Sequence, residues 1–141
     1  MVFRFEQLEI WKLAIAYANK IYDISDNLPK IETFGLNSQL KRSALSISNN
    51  IAEGSGAITI KEFCNFLNIA IKSTLETVSA LYFAENRKYI ESEVRIDLYK
   101  EAEIIIKKIR AFKNSLRNCS NKIIHFNHSQ FANQQFAKER R

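Results

Sequence analysis

The apolar positions of this chain recur with the period of an α-helix in four long stretches. From about Phe5 to Asn27, Leu8, Trp11, Ile15, Ala18 and Tyr22 line one side, and Ile10, Leu13, Tyr17, Ile21 and Ile24 continue the arc. Glu9, Lys12, Asn19, Lys20 and Asp23 fill the narrow remainder. A helix that is apolar over more than half its girth buries two sides. From about Leu36 to Glu53, the stripe is Leu36, Leu40, Ala44, Ile47 and Ile51, and Gly54 reads as the stop, since glycine tolerates the left-handed conformation that ends many helices. The third stretch opens at Thr59-Ile60-Lys61-Glu62, a capping-box pattern in which the Thr hydroxyl accepts from the Glu62 amide and the Glu side chain reaches back. Phe63, Leu67, Ala70, Thr74, Val78 and Leu81 form its stripe, widened by Phe66, Ile69, Ile71, Leu75 and Phe83. In the fourth, from about Ser92 to Asn118, Val94, Leu98, Ala102, Ile105, Ile109, Phe112 and Leu116 repeat as a heptad seam.

The breaks between these stretches are short. Pro29 and Gly35 bracket the first, Gly54 and Gly56 make the second, and Asn86-Arg87-Lys88-Tyr89 is a third without Gly or Pro. Long helices joined by short links predict an all-α fold, an antiparallel up-down four-helix bundle, with helices at about 5–27, 36–53, 60–86 and 92–118. The wide apolar arcs of the first and third helices exceed what one bundle covers, which predicts a homo-oligomer. Residues 119–141 read differently, as a polar and basic tail rich in Asn and Gln, with Phe126, Phe131 and Phe136 at a spacing of five that suits neither helix nor strand. Too few residues remain there for a second domain.

Composition narrows the class. Three glycines and one proline in 141 residues argue against an all-β fold. No apolar run approaches the roughly 18 residues of a membrane span, and the opening MVFRFEQLEIW lacks a signal peptide's basic-then-apolar order. A cytoplasmic protein with no membrane partner is expected, its two cysteines, Cys64 and Cys119, kept as thiols. The net charge of +6 is uneven. Residues 1–100 carry twelve Lys or Arg and twelve Asp or Glu, so the excess lies wholly in residues 101–141, where nine basic residues face three acidic ones. Such asymmetry suits a polyanionic partner.

Three segments carry a family resemblance: FEQLEIWKLA at 5–14, LPKIETFGLNSQLKRSALSISNNIAEGSG at 28–56 and KEFCNFLNIAIKSTLE at 61–76. Together they resemble the bacterial four-helix-bundle family named for proteins encoded in rRNA intervening sequences, over roughly residues 3–118. The resemblance implies a homopentamer of up-down bundles. It extends distantly to the accessory proteins of diversity-generating retroelements, basic pentamers that assist a reverse transcriptase and bind nucleic acid. Two positions depart from the family pattern. Ser48 stands where Pro is frequent, restoring an amide to the second helix, and Ala57 stands where Arg is frequent, removing a cation after the GSG turn.

Candidate sites follow from the helical faces. Arg42, Ser46, Asn49 and Glu53 fall within about 40° of one line, with Asn50 flanking it, opposite the core stripe. They are candidates for a subunit or partner contact, and the plainer alternative is a solvated helix face. On the fourth helix Lys100, Lys107 and Arg110 lie opposite the seam with Arg117 beyond, Lys108 and Lys113 flank it, and Lys122 follows. No acid interrupts residues 104–122. Such a stripe can neutralise several phosphates, and repetition in an oligomer multiplies the effect, with His125 and Phe126 available for stacking. The alternative is again a solvated face, with cations favoured near a helix C-terminus.

Other patterns lead nowhere chemical. GSGAITIK lacks the spacing of a phosphate-binding P-loop, and no strand precedes it. Cys119, His125 and His128 fall one ligand short of a zinc set. No nucleophile–base pair or paired carboxylates appear, so the reading is non-enzymatic, with no cofactor. The expected function is an oligomeric binding protein for structured RNA or DNA. The rival expectation is an oligomeric protein adaptor, for example for a reverse transcriptase or another enzyme partner.

Overall fold

The computed structural model describes the backbone of residues 2–138 and the side chains of residues 2–120. A 3-10 turn, Arg4–Gln7, leads into α1 (Glu9–Asp26). A second 3-10 turn, Lys30–Glu32, precedes α2 (Leu36–Ser55), and α3 (Ile60–Asn86) and α4 (Ser92–Lys138) follow. The four helices pack antiparallel in sequence-adjacent pairs, and α1 also contacts α4. Among the described residues the fold is all-α.

The heptad logic survives in three dimensions. Leu36, Leu40, Ala44, Ile47 and Ile51 of α2 are all buried, as are Phe63, Leu67, Ala70 and Leu81 of α3 and Leu98, Ala102, Ile105 and Ile109 of α4. Ile10, Ala14, Tyr17, Ala18 and Ile21 supply the share from α1. The second apolar side of α1 does not remain uncovered: Trp11, Leu13 and Ile24 pack against the same core. Surplus apolar surface sits instead on α3 and α4, where Leu75, Phe83 and Ile104 are about half exposed.

Gly54 does not end α2. The helix runs on through Ser55, and no glycine among the described residues has positive φ. Gly54 is buried because α3 crosses there: a Cβ on it would lie 2.7 Å from Phe63 Cδ2 and 2.8 Å from Phe66 Cβ. The residue is small for packing, not for backbone freedom. Ser48 is buried within the same helix, its hydroxyl donating to the Leu45 carbonyl at 3.0 Å.

The turn that lacks glycine, between α3 and α4, uses a lysine in its place. Lys88 takes φ 61°, with its amide donating to the Glu85 carbonyl at 2.8 Å and the Tyr89 amide to the Ala84 carbonyl at 2.9 Å. These two bonds are the Schellman closure of a helix end. Tyr89 then donates its hydroxyl to Glu32 Oε1 at 3.1 Å, tying this turn to the α1–α2 link at the same end of the molecule. At the other end, Thr59 caps α3 by accepting from the Glu62 amide at 3.1 Å. The Glu62 carboxylate reaches back one residue further than a capping box requires, accepting from the Ile58 amide at 3.3 Å.

The backbone of α4 continues past Asn118, where the seam of core residues ends. Residues 119–138 contain no Gly or Pro to stop it. The side chains expected to form the tail's aromatic and histidine set, Phe126, Phe131, Phe136, His125 and His128, lie outside the described residues.

Candidate nucleic-acid interface

The cations of α4 whose side chains are described divide into two groups. One group holds the helix in place. Lys108 pairs with Glu9 of α1 at 2.8 Å, and Lys113 donates to Asn68 Oδ1 of α3. Arg95, near the start of α4, donates to Glu85 Oε2 at 2.8 Å and covers the Tyr82 ring at 4.5 Å. The Arg95 hydrogen bond, followed by that from Ser92, holds the Glu85 carboxyl below its ordinary range. A fourth tie runs the other way, from Lys20 of α1 to Glu101 at 2.6 Å.

The other group points outward. Lys100, Lys107, Arg110 and Arg117 are exposed and, among the described residues, enter no ion pair. They share one face of the helix, and at 1.5 Å per residue Lys107 and Arg117 stand about 15 Å apart, a length that meets several phosphates of a strand. Lys107 and Arg110 border a shallow groove of about 230 Å³ between α3 and α4, floored by Leu75, Val78, Tyr99, Ala102 and Ile106, with Glu103 as its one acid. Arg117 borders a second cleft, of about 380 Å³, near the start of α3. The Lys122 side chain lies outside the described residues.

The polar line on α2 is divided by its neighbour. Arg42 pairs with Glu76 of α3 at 2.8 Å, and Ser46 shares a hydrogen bond with Ser73 at 2.9 Å. Asn50 donates to the Ser46 carbonyl at 2.8 Å and its hydroxyl at 3.0 Å. Asn49 and Glu53 are exposed. Arg42 and Ser46 therefore bond across to α3, Asn50 bonds back within α2, and Asn49 and Glu53 remain on the surface. Beneath them lies a pair that the sequence reading passed over: Thr77 donates to Ser43 Oγ at 2.8 Å, with both side chains buried. Buried hydroxyls of this kind are tolerated because each finds an acceptor. Their signal is small polar residues at helical spacing on two different helices, visible only once the pairing of α2 with α3 is known.

Among the described residues no three His, Cys, Asp or Glu side chains converge as metal ligands would. No helix among them is long and apolar enough to cross a membrane.

Four antiparallel helices with a basic outer face on the last define an all-α scaffold. The chain belongs to the 23S rRNA-intervening sequence protein family, whose model matches residues 6–111. It is also similar to a protein from the S23 ribosomal protein family of Bacteroides thetaiotaomicron, described as of unknown function, whose crystal structure was determined at 1.70 Å resolution. The two share 27% identity with a TM-score of 0.66, over 74% of this chain and 97% of the other. Among curated proteins none matches the chain.

Proposed function

We propose that this protein is a non-enzymatic, homo-oligomeric binding protein that holds structured RNA or DNA on the exposed basic face of α4. The observation that carries the reading is the division of the α4 cations. Those not needed to fasten the helix, Lys100, Lys107, Arg110 and Arg117, share one outward face with Glu103 as the acid nearest them on it. A face used only for solubility has no reason to exclude acid over residues 104–120. Assembly into the pentamer implied by the family resemblance would repeat the face five times and raise avidity without new contacts. A cytoplasmic setting, reducing and rich in nucleic acid, fits both this role and the free thiols Cys64 and Cys119.

The test is binding of a hairpin RNA and a DNA duplex by fluorescence anisotropy at low salt. Charge reversal of Lys107, Arg110 and Arg117 together is expected to weaken binding strongly, while reversal of the exposed Lys12 on α1 is expected to leave it within about twofold. Equal loss in both variants contradicts the assignment of the face.

A second reading rests on the groove between α3 and α4. Its apolar floor, with Leu75 about half exposed, suits a protein contact, and the oligomer would then act as an adaptor for an enzyme partner. Recovery of protein without nucleic acid in a pull-down supports that reading over the first.

A further inference from the structure

The second cleft is lined by Ile60, Lys61, Cys64 and Asn65 from the first turns of α3 and by Arg117 and Ser120 from α4. Four of these six side chains, Lys61, Asn65, Arg117 and Ser120, are strong hydrogen-bond donors at neutral pH, two of them cationic, and none is a carboxylate. The acid closest in sequence, Glu62, turns away to accept from the Ile58 amide on the α2 side. The cleft also opens at the amino end of a 27-residue helix, where the backbone partial charge favours an anion. We propose that this cleft is a binding site for a phosphate group. Lys61 and Arg117 supply the charge from opposite walls, and Asn65 and Ser120 supply neutral donors. Lys61 thus contributes to phosphate binding through a helix pair, with the GSG turn outside the cleft lining, rather than through a nucleotide-binding loop.

The proposal rests on the reading of α4 as a polyanion-binding face and adds to it a defined seat at one end, built partly from α3. Two sources could fill that seat: a backbone phosphate of a bound strand, or a free phosphate such as that of a nucleoside monophosphate. The test uses the full chain and four variants, each at an exposed position so that folding is preserved, which thermal melts confirm. The variants are Lys61→Ala, Lys61→Arg, Lys107→Glu and Lys12→Glu. Hairpin RNA is titrated by anisotropy at several salt concentrations. Inorganic phosphate and a nucleoside monophosphate are titrated by amide NMR shifts.

If a strand phosphate fills the seat, Lys61→Ala weakens RNA binding by about tenfold, the loss of one charge-assisted hydrogen bond. It also lowers the slope of log K against log salt by about 1, and Lys61→Arg restores both. If a free phosphate fills it, the small anions shift the amides of Lys61, Asn65 and Ser120 in the wild type but not in Lys61→Ala, whatever RNA does. Wild-type RNA binding that falls with Lys107→Glu but not with Lys61→Ala, with no shift from either small anion, overturns the seat and leaves the α4 face standing. Absence of all binding overturns both.

Discussion

Gly54 shows how a single atom sets the spacing of two helices. With hydrogen in place of a methyl group, α2 lets the Phe63 and Phe66 side chains of α3 lie directly against its backbone. Gly54→Ala is expected to destabilise the fold by about 1–3 kcal/mol through overpacking, despite alanine's better helix propensity. A denaturant melt checks this, and a stabilised variant would mean that α2 and α3 can separate at no cost. Tyr17 gives a second residue-scale test. Its hydroxyl is fully buried without a partner among the described residues. Burial, and then the charge of Glu101, raise its pKa far above the ordinary 10.0. Because the folded value is the raised one, the stability held by the neutral phenol is complete below about pH 10 and is lost as pH rises beyond it. Tyr17→Phe is expected to be neutral or up to about 1 kcal/mol more stable at pH 7, and to lose less stability between pH 9 and 11. A clear loss at pH 7 contradicts the unpartnered state. The sequence marked Gly54 and Tyr17 as a helix stop and a core residue. Only the second reading held, because a glycine's reason lies in what packs against it, and that is written in another helix.

At the scale of elements, the hydrophobic period located all four helices, since a seam such as Leu98, Ala102, Ile105 and Ile109 leaves one direction for the core. What it left open were the polar contacts between helices. A helical wheel places Arg42, Ser46 and Asn49 on one line, but it does not say that α3 stands against Arg42 and Ser46 and leaves Asn49 outside. Nor does it say that Lys108 and Lys113 are fastened to Glu9 and Asn68 while Lys107 and Arg110 face outward. The α3–α4 turn was the least legible break because it has no glycine, yet it closes with the geometry that glycine favours. Lys88 holds φ 61°, a conformation that costs a side-chain-bearing residue about 1 kcal/mol. Lys88→Gly is therefore expected to raise stability by roughly 0.5–1 kcal/mol, and Lys88→Val to lower it by more than that. Urea melts of the two variants check the sign. Destabilisation by glycine would show that the lysine side chain, not the turn, matters there.

At the scale of the whole molecule, the charge asymmetry gains a location. The excess of +6 belongs to residues 101–141, and the part of it whose side chains are described lies on α4, where Lys108 and Lys113 tie the helix to α1 and α3 while Lys107, Arg110 and Arg117 face outward. Apolar residues and short polar ties hold the helices, and an acid-poor face of α4 is left outward, the face proposed to meet a polyanion. The salt dependence of nucleic-acid affinity measures most directly whether that face binds a polyanion. Each phosphate neutralised contributes about 0.9 to the slope of log K against log salt on duplex DNA, because condensed counterions are released. For the wild-type protein the account predicts a steep, linear fall in affinity between about 50 and 200 mM salt, with a slope that drops by about 3 when Lys107, Arg110 and Arg117 are reversed. An affinity that does not change with salt, or a slope that the three reversals leave intact, contradicts it.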